Sequence, residues 1–129
     1  KEVGRDYVCG YNILTNLIGC PEIIKGNFFC GMNQLTTLGG GPEKVGGAYV
    51  CRNNSLTSLT RSPEIVGSLF DCSDNQLTSL VECPRYVGGA FVCRNNRLTS
   101  LKGILRVAGV VFCQDNPVSE NELLATIGR

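Results

Sequence analysis

In 129 residues the chain carries 12 Lys and Arg against 11 Asp and Glu, and no histidine. A net charge of +1 gives no electrostatic basis for gripping a nucleic acid or an acidic membrane. The missing histidine removes the usual general base together with every Ser-His-Asp and Cys-His arrangement.

From its first residues the chain falls into units of one design. A β-branched residue starts each: Val3, Ile24, Val45, Val66, Val87 and Val107. Four places on comes an aromatic (Tyr7, Phe28, Tyr49, Phe70, Phe91), replaced by Val111 in the last unit. A cysteine follows two later, at 9, 30, 51, 72, 93 and 113, and an asparagine three after that, at 12, 33, 54, 75, 96 and 116. One leucine column (Leu14, Leu35, Leu56, Leu77, Leu98) ends in Val118, and a second runs Leu17, Leu38, Leu59, Leu80, Leu101. The cysteine steps are 21, 21, 21, 21 and 20, so the units are 3–23, 24–44, 45–65, 66–86, 87–106 and 107–129. A period of this length predicts a single solenoid domain with no linker inside it.

Within a unit, YVC or FVC alternates inward and outward as a strand does. The Gly/Pro stretch that follows, GGGPEKVGG in one unit, excludes a stable helix, so the return path is expected to be extended or polyproline-like. The expected fold is therefore an α/β-type repeat solenoid, mostly β, with about six parallel strands on one concave face and an extended convex side. Stacked units turn each column into a ladder: aromatics, cysteines and leucines pack inward, and the asparagines satisfy backbone groups at the bend.

The stretch VGGAYVCRNNSL follows L-x-x-L-x-L-x-x-N/C-x-L, with Tyr49 and Cys51 in place of the second and third leucines and the first apolar residue one place early. The chain thus resembles the leucine-rich repeats. Its 21-residue period and LTSLxxxPxxV tail resemble the short, helix-free repeats of bacterial secreted effectors and some bacteriophage proteins. That resemblance implies a right-handed solenoid and a protein acting on host machinery.

Eight cysteines raise the questions of zinc and of disulfides. No C-x₂₋₄-C pair exists and histidine is absent, so neither metal nor cofactor is expected. The six ladder cysteines read as small buried hydrophobes, reduced, in a cytoplasm or a host's cytoplasm. Cys20 and Cys83 lie outside the ladder, each before a proline, three units apart and too distant to bridge. GGGPEKVGG fits neither phosphate-binding fingerprint, and Asp6, Asp71, Asp74 and Asp115 read as a solvated surface. A non-enzyme is expected.

Binding is expected on the outward strand positions. One column holds Val8, Phe29, Val50, Asp71, Val92 and Phe112, edged by Arg52 and Arg94. An apolar strip flanked by arginines and aromatics has the composition of a protein-binding patch; β-branched strand propensity alone is the plainer account of its valines. These eight residues are the candidate site of a non-catalytic module that binds a protein partner. The alternative is a structural protein that homo-oligomerises, either through that concave face or through the open strand edge with which Val3 and Tyr7 begin the repeats, an edge suited to a homodimer. At the other end, Ser119 as N-cap and Glu122 three later predict a short capping helix over 120–127. The first residues show no signal-peptide core, and no apolar run reaches the roughly 18 residues of a membrane span. A start at Lys1 rather than Met is what a fragment or processed chain would give, with targeting information cut away.

Overall fold

A computed structural model describes residues 2–118. The chain winds as a parallel β-solenoid of about five turns, one turn per 21-residue unit. Each turn carries two strands of two residues, separated by a corner. Strands β1 (Glu2–Val3), β3 (Ile23–Ile24), β5 (Lys44–Val45), β7 (Ile65–Val66) and β9 (Tyr86–Val87) stack into one parallel sheet. Strands β2 (Tyr7–Val8), β4 (Phe28–Phe29), β6 (Tyr49–Val50), β8 (Phe70–Asp71), β10 (Phe91–Val92) and β11 (Val111–Phe112) form a second, six-stranded sheet. Among the described residues there is no helix, and so none long and apolar enough to cross a membrane. The helix expected over 120–127 lies outside the described residues.

The first of these sheets was not expected: that part of the return path is strand, not an unpaired extended run. Its cause is the β-branched column that starts each unit. Ile24, Val45, Val66 and Val87 are buried, and their neighbours on the other side of the pleat are more exposed, which is the alternation a strand imposes. The glycine after three of them lets the coils close up. A methyl group on Gly67 would run into the carbonyl oxygen of Gly46, and one on Gly88 into that of Gly67.

The leucine stretches also bind coil to coil, through Gln34 N to Leu14 O at 2.9 Å, Ser55 N to Leu35 O at 2.9 Å and Gln76 N to Leu56 O at 2.8 Å. Inside, the aromatic column stacks with centroid separations of 5.8, 5.0, 5.5 and 5.2 Å from Tyr7 to Phe91. The cysteine and leucine columns of the inner coils are fully buried beside it.

Each inner asparagine joins two coils. Asn54 donates from Nδ2 to Cys51 O at 3.0 Å in its own turn and to Cys30 O at 3.2 Å in the turn before, and its Oδ1 accepts from Leu35 N at 3.0 Å. Asn75 and Asn96 repeat the set on Cys51, Cys72 and Leu56, and on Cys72, Cys93 and Leu77. Asn12, in the first turn, bonds to Cys9 O and Gly10 O and is exposed.

Two left-handed residues bend each turn. The first precedes every rung: Tyr11, Met32, Asn53, Asp74, Asn95 and Asp115 have φ between 53° and 62°. The second occupies the third place of a four-residue turn closed from Leu38 O to Gly41 N at 3.2 Å and equivalently in other coils, the φ signature of a type II turn. Gly19, Gly40 and Gly103 suit it, while Arg61 (φ 71°) and Glu82 (φ 69°) carry a Cβ there.

A hydroxyl or amide oxygen prepares that turn. Asn16 Oδ1, Thr37 Oγ1, Ser79 Oγ and Ser100 Oγ each accept from the backbone N–H two residues on, at 3.0 to 3.1 Å. This is the Asx or Ser/Thr turn, and it accounts for the serine in LTSL.

Asn54→Ala is expected to lower unfolding free energy by about 2 kcal/mol, because it strips buried backbone groups of their partners. Asn12→Ala, at an exposed rung, is expected to lower it by well under half as much; equal losses in urea melts would contradict a ladder built on inter-coil bonds. Arg61→Gly removes a left-handed Cβ and is expected to stabilise by about 0.5–1 kcal/mol, read as a higher urea midpoint.

Candidate protein-binding face

Parallel register aligns the outward residues of the six-stranded sheet into one row. Val8 pairs with Phe29, Phe29 with Val50, Val50 with Asp71, Asp71 with Val92 and Val92 with Phe112. At about 4.8 Å per strand the row spans roughly 24 Å. Val8 is 69% exposed, and Phe29, Val50, Val92 and Phe112 are half-buried by flanking side chains.

Asp71 departs from the expectation of an exposed contact: it is buried at 8%. Its Oδ1 accepts from Ser73 N at 3.0 Å, and its Oδ2 lies 4.0 Å from Arg52 Nη1. A carboxylate in an apolar row needs such partners, so here it ties the loop after β8 rather than offering a free charge.

The arginines are also engaged within the chain. Arg52 Nη2 stands 3.5 Å from Asp74 Oδ2, and its Nε donates to Asn53 Oδ1 at 3.2 Å. Asp74 Oδ1 accepts from Asn95 Nδ2 at 2.7 Å, which extends the network to a third coil. Arg94 donates from Nε to Gln114 Oε1 at 3.2 Å and lies 5.0 Å over the Phe112 ring, within cation–π range. Both guanidinium groups are thus held in place beside the row.

At the near corner, Asp6 Oδ1 accepts from Asn27 N and Asn27 Oδ1 from Ala48 N, each at 2.7 Å. Asp6, Asp71 and Asp74, expected as a solvated surface, therefore each hold a neighbouring coil or loop. Among the described residues no three His, Cys, Asp or Glu side chains group as a metal ion requires. Burial is the main force on the inner thiols: it pushes Cys93 up to about 12 and Cys83 up to about 11, and raises Cys51 and Cys72 well above the usual thiol range. Those thiols are neutral at physiological pH.

A feature without a sequence signal lies on the five-stranded sheet. Glu64, Ile65, Arg85, Tyr86 and Arg106 line a shallow open groove of about 330 Å³. Arg85 Nη1 sits 3.9 Å from Glu64 Oε2, and the Arg106 guanidinium is 5.9 Å from the Tyr86 ring centre. These positions vary in kind from coil to coil, so repeat analysis passes over them.

No known protein family, curated protein or solved structure matches the chain. Asp71→Asn keeps an oxygen for Ser73 N and is expected to leave stability within about 0.5 kcal/mol. Asp71→Val leaves that buried N–H unpaired and is expected to cost about 1 kcal/mol in chemical denaturation, despite completing the apolar row.

Proposed function

We propose that the chain is a non-catalytic protein-interaction module of the right-handed leucine-rich-repeat type, binding a partner protein on the outer face of its six-stranded sheet. What carries the reading is the row of Val8, Phe29, Val50, Val92 and Phe112 beside two arginines already fixed by Asp74, Gln114 and Phe112. Binding orders little that is not already ordered, which spares the entropy of immobilising long side chains. Aromatics and arginines are also the groups that anchor protein interfaces. Eight unpaired cysteines suit a reducing cytoplasm, a host's included, and the effector-like or phage-like repeat suits a partner in host machinery.

Self-association is the second reading, favoured by the first coil. Val8, Tyr11, Ile13 and Ile18 there are 69 to 84% exposed, and among the described residues β1 and β2 each pair on one side. An apolar cluster with free strand edges suits a second copy of the chain.

The two readings separate by experiment. Val50→Lys with Val92→Lys places two charges in the row at half-buried outward positions, from which the long lysine stems carry their ammonium groups to solvent and spare the fold. Proteins captured by the wild type from a host lysate are expected to bind this variant at least about tenfold more weakly, roughly 1.4 kcal/mol; full retention would defeat the proposed face. Light scattering over a concentration series is expected to show a monomer, whereas a dimer abolished by Ile13→Lys with Ile18→Lys would move the assignment to self-assembly.

A further inference from the structure

The groove on the five-stranded sheet forms where a charge pattern reverses. In three successive turns one place at the border of that sheet holds Glu22, Glu43 and Glu64, tied by Glu43 N to Glu22 O and Glu64 N to Glu43 O, each at 2.7 Å. The next turn puts Arg85 there, its N–H on Glu64 O at 2.9 Å. The adjoining place runs Ile23, Lys44, Ile65 and Tyr86 in parallel register. Arg106 comes in beside Tyr86 through Val87 N to Arg106 O at 2.9 Å. Two guanidinium groups thus meet one carboxylate around a space of about 330 Å³. Ligand sites begin at roughly that size, about 300 Å³.

Neither cation is fully engaged within the chain. Arg85 reaches Glu64 only at 3.9 Å, between side chains that are each more than half exposed, and such a pair is weak in water. Arg106 touches the Tyr86 ring and, among the described residues, has no carboxylate partner. Arg52 differs, with Asp71 on one side and Asp74 on the other. Ile65 and Tyr86 add an apolar lining that is 37% and 38% exposed. All five groups stand on or beside backbone bonded to the next coil, so a ligand would find them already in position.

We infer that this groove binds an aryl phosphate monoester, with the phosphate between Arg85 and Arg106 and the ring against Ile65 and Tyr86. A carboxylate ligand brings one negative charge, no more than Glu64 already offers Arg85. A phosphate monoester brings about 1.5 to 2 charges at neutral pH and three strong acceptor oxygens, and guanidinium forks take such oxygens in pairs. Inorganic phosphate would leave the apolar lining in water, whereas an aromatic ring covers it. The same group occurs on a free small molecule and on a phosphotyrosine side chain. The groove lies on the other sheet from the row of Val8 to Phe112 and does not depend on a partner bound there.

The test titrates the folded full chain with phenyl phosphate, benzoate and inorganic phosphate, followed in amide NMR spectra. Phenyl phosphate is expected to shift Glu64, Ile65, Arg85, Tyr86 and Arg106 saturably and to bind at least about tenfold tighter than either of the others. Arg106→Gln is expected to weaken it about tenfold or more. Glu64→Gln is expected to tighten it about threefold by releasing Arg85 from its own carboxylate, a gain that a merely structural role would not give. Arg97→Gln, at an exposed arginine elsewhere on the chain, is expected to change nothing. All three positions are exposed, and an unchanged urea midpoint shows that each variant has folded. A glycine-flanked phosphotyrosine pentapeptide separates the two sources: binding as tight as phenyl phosphate assigns the site to a protein side chain, and binding tenfold weaker assigns it to a free small molecule. Equal affinity for benzoate, comparable shifts around Arg97, or weaker binding by the Glu64→Gln chain would overturn the inference.

Discussion

Everything in this solenoid rests on the asparagine rung. A two-residue strand is too short to hold a sheet by its own ladder, and each turn here carries only two such strands. The rung fills the gap at the bend, where backbone donors and acceptors would otherwise be buried unpaired. One amide takes carbonyls from two successive turns and accepts an N–H from the earlier one. It thereby fixes the vertical spacing and the rotational phase of neighbouring coils together. Aromatic stacking and leucine burial supply most of the driving force, but they are non-directional and would tolerate a slip. The amide does not, because a one-residue shift would aim it at the wrong carbonyl.

Other repeated polar residues follow from the same logic of local satisfaction. The serine of LTSL caps its own turn, the left-handed residue before each rung opens the bend, and glycine or its substitutes close the second one. Asn53 and Asn95 belong in this group: at φ 57° and 53° they occupy a conformation that asparagine tolerates better than most residues. Asparagine in the near-duplicate stretches VCRNNSLTSL and VCRNNRLTSL therefore suits the backbone, although Tyr11, Met32, Asp74 and Asp115 hold the same conformation in other coils. Arg52 and Arg94 are different, since Gly31 and Ser73 fill the same column without strain.

How much of this the sequence discloses follows from what repeats. Columns that every coil needs, such as Cys51, Asn54, Leu56 and Leu59, declare period, inward face and solenoid form at once. The five-stranded sheet is harder to see because glycines and polar residues flank its two-residue strands; only the buried column Ile24, Val45, Val66, Val87 marks it. The candidate face is legible as a row, since parallel register keeps Val8 to Phe112 aligned, but the state of its charged members is not. Asp71 sits in that row and looks like a free acid until Ser73 N and Arg52 are seen beside it.

The last complete step along the ladder is 20 residues instead of 21, and the shortfall falls before the five-stranded sheet. There the pairing thins to a single bridge, Val87 to Val107, while the six-stranded sheet continues in step through β11. The two sides of the coil thus differ in how strictly they count. Gain or loss of a residue at the glycine and proline corner changes the turn locally and leaves the rungs in phase. Whole units are interchangeable for the same reason, because each meets its neighbours through the same rung, ring and leucine contacts. For a gene that builds such a chain, unequal recombination is a mild event: it lengthens or shortens the rod by about 4.8 Å per unit and shifts whichever side chains happen to stand in the outward row.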